Sequence, residues 1–397
     1  MSDRIRVAIV VSHPIQHFVH LYRALAKVPT IDLLVIFAAD IGVRKYFDKD
    51  MNVEIAWETD LLSGYNSVFL PESSSIQRTG FWTLNNPSIA AALGTFRPDV
   101  VQLHGYGHVT VFRALLWSKL YGVPLLLWSD SSLLFQRSLF KRVAKKIVIT
   151  LLMSLFNGVL TTGSNNAAYY LNYGVPRRKL FRCPFTVDET HFAMARASIG
   201  TKRIKMRRTY GVPENAFLVL FVGKLMPLKR PQDVLHALLK TTSRSSEWSN
   251  LTVFFAGDGR LKADLEEYSV NNNLQAIFGG FINVNILPYI YAMADLLVFP
   301  SDREAYGLSA REAICLGLPL IVSDQIGCIG ADDAARPQEN AIVYPAGDVD
   351  ALSEAIELLA IDAGLLRSMG AASLRIAEEL NVDSSVNGFL DAVRTVV

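Results

Sequence analysis

Cysteine is scarce in this 397-residue sequence, and the three that occur, Cys183, Cys315 and Cys328, are scattered without CxxC spacing. An odd number of isolated cysteines disfavours a disulfide framework and a structural zinc site, and it fits a reducing compartment such as the cytoplasm. An excess of charge of one sign is missing too, because 39 basic residues face 37 acidic ones. This balance gives no overall indication of nucleic-acid binding, so we expect a cytoplasmic protein without a nucleic-acid partner.

Long apolar runs are also absent. No uninterrupted run reaches the about 18 apolar residues that indicate a transmembrane helix, and the first residues do not resemble a signal peptide. The nearest approach is the fourteen-residue stretch IVITLLMSLFNGVL at 147–160, which follows a basic cluster made of Arg137, Lys141, Arg142, Lys145 and Lys146. Two interpretations of 137–160 stay open: a helix lying on an anionic membrane surface, which the dense cluster favours, or a core helix with a solvated basic end.

Apolar runs of strand length alternate with helical stretches in two successive series. Near-continuous Val, Ile and Leu runs are typical of parallel strands buried on both faces. The two series predict an α/β fold of two doubly wound, Rossmann-like domains over 1–186 and 187–380, with a helix over 381–397 packing back towards the first domain. A (β/α)₈ barrel is the competitor, disfavoured by the irregular stretch 40–87 and the basic stretch 202–208.

The most informative stretch is FPSDREAYGLSAREAICLGLP at 299–319. A buried strand ends in an acidic loop, and Gly307 then leads into a helix whose first amides lack intrahelical partners and suit a diphosphate. Glu304 lies at the carboxyl end of the strand, where α/β proteins bind ligands. Glu312 also fits a capping box with Ser309. That alternative stays open for Glu312, but it explains neither Glu304 nor Gly307.

The pattern E-x7-E, with an internal Gly-Leu and a following E-A-x-x-x-G-x-P, resembles the retaining GT-B glycosyltransferases of family 4 (glycosyl transferases group 1). Further elements stand in the expected order over nearly the whole chain, namely PDVVQLH (98–104), TGS (162–164), YGVP (173–176), VD (187–188), FVGKLMPLKR (221–230), FAGDG (255–259), GGF (279–281) and NAIVYPAGD (340–348). The resemblance implies two Rossmann-like domains facing an interdomain cleft, with the acceptor on the first domain and a nucleotide sugar on the second.

The resemblance also implies roles for second-domain residues. Lys224 and Lys229 would neutralise the diphosphate, Glu312 would hold the ribose hydroxyls, and Glu304 the sugar hydroxyls. Lys224 stands where the family usually has arginine, so it keeps the charge but loses the bidentate fork. Other donor-binding candidates are Gly223, Asp258, Phe281, Tyr306, Gly307 and Leu308. We expect no metal and no further cofactor, because lysines and a helix end do the work of a cation.

Candidates in the first domain carry more alternatives. By resemblance, His104 contacts the sugar near its 6-hydroxyl, although a lone histidine at a strand end is more often structural. His13 and Gln16 follow the first strand, where the family often has Gly-Gly, and are candidates for binding a phosphate or acceptor hydroxyl. Asp130 either orients the acceptor or caps a helix. The role of His108 is open.

Two metal interpretations are disfavoured. The spacing of His13, His17 and His20 is interrupted by Pro14, and no carboxylate or thiol is close in sequence. The one D-x-D match, at 48–50, lies in a polar stretch and not after a buried strand. The sequence also lacks the G-x-x-x-x-G-K-[ST], G-x-G-x-x-G, G-x-S-x-G and H-E-x-x-H motifs.

The resemblance therefore implies a retaining, metal-independent glycosyltransferase whose catalytic candidates are Glu304, His104 and Lys229. The departing phosphate would take the acceptor proton in a front-face attack. The basic segment favours a lipid-linked saccharide, such as a surface polysaccharide or lipopolysaccharide precursor, with the enzyme at the inner face of the membrane. A soluble acceptor is expected if the segment is core. Two rival functions are a non-catalytic sugar-nucleotide-binding protein and a sugar-nucleotide epimerase of the same fold.

Overall fold

The chain forms two compact units in the computed structural model. The structure describes residues 4–44, 46–48, 53–55, 59–134 and 139–397, with backbone alone for 46–48, 53–55, 139–144 and 246–247. The first unit comprises Met1–Tyr46, Thr59–Val187 and Leu380–Val397, and the second comprises Phe47–Glu58 and Asp188–Glu379. The segment Phe47–Glu58, which the sequence prediction included in 1–186, is thus grouped with the second unit.

The strands are short and mostly buried. In chain order they are β1 (Ile5–Val11), β2 (Ile31–Phe37), β3 (Tyr46–Asp48), β4 (Val53–Ile55), β5 (Ser67–Phe69), β6 (Val100–His104), β7 (Leu125–Trp128), β8 (Gly158–Thr161), β9 (Leu180–Arg182), β10 (Phe217–Val222), β11 (Leu251–Ala256), β12 (Ala276–Gly280), β13 (Leu296–Phe299), β14 (Leu320–Ser323) and β15 (Ala341–Tyr344).

Helices connect most of these strands. In chain order they are α1 (Gln16–Ala26), α2 (Ile89–Phe96), α3 (Val109–Leu120), α4 (Leu139–Ser154), α5 (Ser164–Asn172), α6 (Glu189–Ala197), α7 (Ile199–Thr209), α8 (Pro231–Arg244), α9 (Lys262–Asn271), α10 (Leu287–Met293), α11 (Leu308–Ile314), α12 (Val349–Ile361), α13 (Ala363–Glu379) and α14 (Val382–Val396).

Within the described residues, the first unit is built on a seven-stranded parallel sheet in the order β5-β2-β1-β6-β7-β8-β9. The inner strand β1 pairs Ile5 with Ile31 of β2 and Val7 with Val100 of β6. Its residues Val7–Val11 are almost wholly buried, as expected for an apolar run covered on both faces. The sheet is open, so the closed barrel that competed with this fold is wrong.

Helices cover both faces of this sheet. Right-handed crossovers between the successive strands β6, β7, β8 and β9 put α3, α4 and α5 on one face of the sheet. The crossover from β1 to β2 leads the opposite way along the strand order, so it puts α1 on the other face. The last helix, α14, packs against α1 and β9. There the Ser385 hydroxyl donates to the Pro184 carbonyl at 2.8 Å, so the end of the chain is tied to the first unit.

The second unit contains, among its described residues, a six-stranded parallel sheet in the order β12-β11-β10-β13-β14-β15. The basic stretch 202–208 forms most of α7 and has a structural role. The buried Arg207 donates to the Asp295 carboxylate at 2.9 Å and to the Met293 carbonyl at 3.0 Å, while Arg203 donates to the other Asp295 oxygen at 2.6 Å. These bonds fix α7 at the amino end of β13.

Helix α4, which makes up most of the described part of 137–160, has a buried side and an exposed side. Ile149 and Met153 of α4 are buried in the core of the first unit. Between 59% and 64% of the surface is exposed at three other α4 residues, Ile147, Val148 and Leu151. No helix in the described ranges combines the length and apolar character needed to cross a membrane.

Candidate functional site

The carboxyl ends of four neighbouring strands of the second sheet, β11, β10, β13 and β14, carry loops that are hydrogen-bonded to one another. The Gly223 amide donates to the Ala256 carbonyl at 3.0 Å, and the Leu225 amide to the Asp258 carbonyl at 2.9 Å. These two bonds join the loop after β10 to the loop after β11. In parallel sheets this edge is where ligands bind.

The close approach of the loops after β10 and β11 requires glycine at position 257. A Cβ atom at position 257 would overlap the carbonyl oxygen of Gly223, so no other residue fits without moving one of the loops. The G-D-G sequence element is therefore a close backbone contact. Its aspartate is held locally: one Asp258 oxygen accepts from the Gly259 amide at 2.8 Å, and the other lies 3.3 Å from the Lys262 ammonium.

Lys229 and Glu304 are brought together at this edge. The Lys229 ammonium donates to a Glu304 carboxylate oxygen, and the two side chains are 20% and 22% exposed. The ammonium also lies 5.6 Å from the centre of the Phe299 ring. The two residues are 75 positions apart in sequence, so the strand order of the sheet makes this charged pair.

The backbone around Glu304 is fixed on both sides. Its amide donates to the Gln325 carbonyl at 3.1 Å, and its carbonyl accepts from the Gly327 amide at 3.0 Å. On the other side, the Asp302 amide donates to the Leu228 carbonyl at 3.0 Å. The loops after β10, β13 and β14 therefore hold the carboxylate in place.

Gly307 begins α11. Its backbone has φ +117°, and a Cβ atom there would lie 2.8 Å from a ring carbon of Phe299. The adjoining Tyr306 is buried, Leu308 is partly buried, and the Ser309 hydroxyl donates to the Val222 carbonyl at 3.2 Å. The start of α11 is thus anchored to the end of β10, and its first-turn amides lie at the same edge as Lys229.

The capping-box interpretation of Ser309 and Glu312 is wrong. The N-cap residue of α11 is Gly307, which has no side chain to bond to the helix amides. Ser309 lies within the first turn and not at the cap position. The Tyr291 hydroxyl donates to the Glu312 carboxylate at 2.7 Å. Burial raises the pKa of Glu312 to about 7, although the Tyr291 hydrogen bond and the Arg311 charge act in the opposite direction. This carboxyl group therefore titrates near neutral pH.

The remaining donor-side candidates lie on the same edge. Gly223 and Lys224 directly follow β10 and are partly buried, and Phe281 directly follows β12 and is also partly buried.

Sequence reasoning did not predict several partners of these residues. Arg230 donates to Asp233 at 2.6 Å and lies 3.2 Å from Asp302, which braces the loop that carries Lys229. Tyr291, the partner of Glu312, lies in α10. Arg230 is the last residue of the motif FVGKLMPLKR, so its position beside Lys229 was visible in the sequence. Nothing near Tyr291 in sequence indicated its contact with Glu312.

The first-unit candidate His104 lies in an aromatic cluster at the carboxyl end of β6. Its Nε2 is 3.2 Å from the Tyr22 hydroxyl, and its ring is 4.5 Å from Phe18 and 5.0 Å from Trp128 between centroids. Burial lowers the pKa of His104 to about 3. The imidazole is therefore neutral at physiological pH and acts as a hydrogen-bonding group.

The acceptor-side candidates follow the neighbouring strands β1 and β7. The Nδ1 atom of His13 lies 2.9 Å from the Ser12 hydroxyl, and burial lowers the pKa of His13 to about 4. Gln16 is the first residue of α1, and Asp130 is exposed two residues after β7. These side chains are placed at the same edge of the first sheet as His104.

Two further histidines lie on this edge, of which His108 is buried and His17 is partly buried. His108 precedes α3, and neither of its ring nitrogens has a hydrogen-bond partner among the described residues. His17 packs against the rings of Phe18 and Phe185 at 4.3 and 5.0 Å. In the part of the chain that the structure describes, no group of three His, Cys, Asp or Glu residues is placed to hold a metal ion. Asp50, the second residue of the D-x-D match, lies outside that part.

The second unit matches a known family. Residues 202–375 fit the family described as glycosyl transferases group 1. An uncharacterized glycosyltransferase, MJ1607, from Methanocaldococcus jannaschii is 32% identical over 147 residues, which are 36% of each chain. A D-inositol 3-phosphate glycosyltransferase from Salinispora arenicola is 28% identical over 214 residues, 52% of this chain and 47% of that one. The matches thus span less than half the length of either relative.

Solved structures resemble the chain over almost its whole length. Anabaena Alr3699/HepE in complex with UDP-glucose has a TM-score of 0.70 at 14% identity and covers 98% of this chain and 100% of that one. WaaG, a glycosyltransferase involved in lipopolysaccharide biosynthesis, has a TM-score of 0.63 at 15% identity, covering 97% and 99%. At this identity the likeness shows the fold alone. It confirms the predicted fold class of two parallel-sheet, Rossmann-like units of the GT-B type.

Proposed function

We propose that the chain is a retaining, metal-independent glycosyltransferase that moves a sugar from a nucleotide-diphosphate sugar to an acceptor hydroxyl. The observation that carries the proposal is the pair of Lys229 and Glu304 beside the start of α11, within the segment that matches glycosyl transferases group 1. The pair presents a cation for a diphosphate and a carboxylate for sugar hydroxyls at one edge of one sheet. Two relatives are named glycosyltransferases, and Alr3699/HepE was solved with UDP-glucose, which supports this class of donor.

The donor diphosphate is bound by positive groups on two loops. Lys229 gives up part of its contact with Glu304 to bind the phosphates, and Lys224 provides a second cation from the same loop. The amides of the first turn of α11 add hydrogen bonds without adding charge. The same groups stabilise the negative charge that develops on the diphosphate as it leaves the sugar. No metal ion is needed for this neutralisation.

The carboxylates take different substrate groups. Glu304 is fixed through its own backbone, so it is suited to accept hydrogen bonds from the sugar hydroxyls. Glu312, in the second turn of α11, accepts from the ribose hydroxyls and is a stronger acceptor when ionised. Phe281 lies beside the base, and Asp258 supports the neighbouring loop through its bond to the Gly259 amide.

The transfer step needs no covalent nucleophile from the protein. The acceptor oxygen attacks the anomeric carbon on the face that the diphosphate leaves, and the departing phosphate oxygen takes the acceptor proton. His104 is neutral, with a pKa lowered to about 3, so it hydrogen-bonds to the sugar and is not the acid. His13, Gln16 and Asp130 are the acceptor-side groups in this scheme.

The acceptor is a lipid-linked saccharide, such as a surface polysaccharide or lipopolysaccharide precursor, and the enzyme works in the cytoplasm at the inner face of the membrane. The basic start of α4 and the apolar residues that follow it support this class of acceptor.

The proposal is tested by turnover of a panel of UDP-, GDP-, ADP- and TDP-sugars, with a detergent extract of membrane lipids as the source of acceptor hydroxyls. We expect release of nucleoside diphosphate from one donor, at an unchanged rate after a chelator is added, and a product whose anomeric configuration matches that of the donor by NMR. An inverted product contradicts the retaining mechanism, and loss of turnover with the chelator contradicts metal independence. No release from any donor contradicts the transferase and favours a binding protein.

A further inference from the structure

Helices α3 and α4 of the first unit expose a group of large apolar side chains. These side chains are 59% to 74% exposed, whereas residues on the inner sides of the same helices are buried. The exposed side chains are Leu116, Leu120, Ile147, Val148 and Leu151. We call this group the α3–α4 face. Leu116 and Leu120 are one helical turn apart on α3, and Ile147 and Leu151 are one turn apart on α4, so each helix presents one continuous apolar row.

The two rows lie on the same side of the unit. Because β6, β7 and β8 follow one another in both chain and sheet order, right-handed crossovers put α3 and α4 next to each other on one face of the sheet. Their inner residues, such as Leu115 and Ile149, belong to one core cluster. The outward-facing residues of the two rows therefore form one surface, not two separate ones.

The surrounding chain is strongly basic. Residues 100–187 contain eleven lysines and arginines and a single acidic residue, Asp130, although the whole chain has a formal net charge of only +2. Five of these cations, Arg137, Lys141, Arg142, Lys145 and Lys146, come directly before the apolar row of α4. Arg137 lies outside the described residues, and only the backbone is described for Lys141 and Arg142.

Three of the cations belong to the helices of this surface and are exposed, namely Arg113, which donates to Asn85, and Lys119 and Lys146. Lys119 adjoins Leu120 on α3, and Lys146 adjoins Ile147 on α4. Neither forms an ion pair with a carboxylate in the ranges that the structure describes. Arg177 and Arg178, after α5, are exposed in the same way. The apolar rows are thus accompanied by two cations, Lys119 and Lys146, that no carboxylate among the described residues neutralises.

We propose that the α3–α4 face docks on the surface of an anionic lipid bilayer. The apolar rows enter the boundary between headgroups and acyl chains, and Lys119 and Lys146 contact lipid phosphates, which is how basic amphipathic surfaces bind membranes. Charge complementarity selects this occupant over a second copy of the chain. A symmetric dimer through this face would bring the two sets of cations together, whereas an anionic bilayer neutralises them.

This inference deepens the proposed function, since it names the partner surface on which a lipid-linked acceptor is met. It is tested without donor or acceptor, so the two proposals can fail separately. The full chain is sedimented with vesicles of phosphatidylcholine alone and of phosphatidylcholine mixed with phosphatidylglycerol. We expect binding to the mixed vesicles only, weakened by added salt because the attraction is partly electrostatic.

The variant Ile147→Ser/Val148→Ser/Leu151→Ser removes the row on α4 without touching a buried residue. We expect its partition onto mixed vesicles to fall by about tenfold or more, since insertion depends on the buried apolar area. Lys119→Glu/Lys146→Glu is expected to weaken binding and its salt dependence together. The matched control is Val270→Ser/Ile361→Ser, which removes two exposed apolar residues of the second unit (78% and 72% exposed) and leaves vesicle binding unchanged.

Three outcomes overturn the proposal. They are equal binding to both kinds of vesicle or to neither, unchanged binding of the triple variant, and a concentration-dependent dimer in light scattering that the triple variant abolishes. The last outcome would assign the face to a second copy. Circular dichroism of the variants, and unchanged release of nucleoside diphosphate by the triple variant when the acceptor is solubilised in detergent, check that lost vesicle binding does not reflect unfolding.

Discussion

The two units are built on the same kind of open parallel sheet, yet the carboxyl edges of the two sheets differ in charge. The edge of the second sheet carries ionic contacts, among them Lys229 with Glu304 and Lys262 with Asp258. The edge of the first carries the neutral histidines His104, among aromatic rings, and His13, beside Ser12, together with the exposed Asp130. The loops decide which groups line a given edge. The lysines of the charged edge suit a diphosphate, and the neutral imidazoles and rings of the other edge suit sugar hydroxyls.

Removing the cation of the charged edge is expected to have the largest effect. Lys229→Ala should lower kcat for diphosphate release by about 10²- to 10³-fold, the usual cost of losing one group that stabilises a leaving charge. Glu304→Gln keeps the size of the side chain and should lower the rate less. Both are measured in the donor panel described above.

The control is Lys240→Ala, which removes a half-exposed lysine that pairs with Asp350 in the same unit. It should leave turnover and donor affinity unchanged. Equal rates for Lys229→Ala and the wild type would mean that the charged edge does not serve the reaction.

The close contact between the loops after β10 and β11 is tested by Gly257→Ala. The added Cβ atom overlaps the Gly223 carbonyl, so we expect a loss of about 1–3 kcal/mol in the free energy of unfolding. Donor affinity should fall too, because Lys224 follows Gly223 directly. Urea unfolding and donor titration measure the two effects.

Gly94→Ala is the matched control, because no atom lies within 4 Å of a Cβ atom at this position in helix α2. It should stabilise the protein by about 0.5–1 kcal/mol, the usual gain from replacing a glycine within a helix. A loss of stability in Gly94→Ala similar to that in Gly257→Ala would contradict the steric explanation.

The carboxyl group of Glu312 should make both stability and donor binding depend on pH. Its pKa is raised to about 7 in the folded state, so the folded chain holds more protons than the unfolded chain between about pH 4.5 and 7. Stability therefore falls as the pH rises through this window. Glu312→Gln keeps an acceptor for Tyr291 and should stabilise the protein above pH 7 by about 1–2 kcal/mol, a difference absent below pH 4.5.

Donor affinity should change in the opposite sense. The ionised carboxylate is the better acceptor for ribose hydroxyls, so the affinity of the wild type should rise as the pH passes through about 7, and that of Glu312→Gln should not. Calorimetric titrations at several pH values compare the two proteins. A wild-type affinity that is flat across this range would remove Glu312 from the nucleotide site.

The smallest expected effect is the lack of titration of the two histidines at the edge of the first sheet. Burial lowers the pKa of His13 to about 4 and that of His104 to about 3, so neither ring should gain a proton between pH 5 and 8. NMR of the imidazole protons, assigned with His13→Gln and His104→Gln, checks this. A midpoint between pH 5 and 8 for either residue would end the contrast between the two edges.

Much of the fold could be predicted from sequence because each buried parallel strand is a short apolar run, as Val7–Val11 shows. The stretch around Glu304 and Gly307 was equally informative, since a strand end, a turn and a helix start adjoin in sequence. Contacts between distant segments were not accessible. Glu312 matched a local capping pattern with Ser309, but Gly307 took the cap position and Tyr291, 21 residues earlier, became its partner.

Segment 137–160 illustrates the same limit. Its composition suggested either a helix on a membrane surface, which the basic cluster favoured, or a core helix. In the structure, Ile149 and Met153 of α4 are buried, whereas Ile147 and Leu151 are exposed. Only the position of α4 beside α3 on the sheet shows which residues form each row. The structure thus assigns each residue of α4 to the buried or the exposed side, and contact of the exposed side with a membrane stays a prediction.

The central claim is that the charged edge of the second sheet binds a nucleotide-diphosphate sugar. Isothermal titration of the wild type and Lys229→Ala with the UDP-, GDP-, ADP- and TDP-sugar panel tests it most directly. We expect one donor to bind the wild type, with affinity reduced about tenfold or more in Lys229→Ala. Absence of binding by every donor, or equal affinity for the two proteins, would contradict the claim.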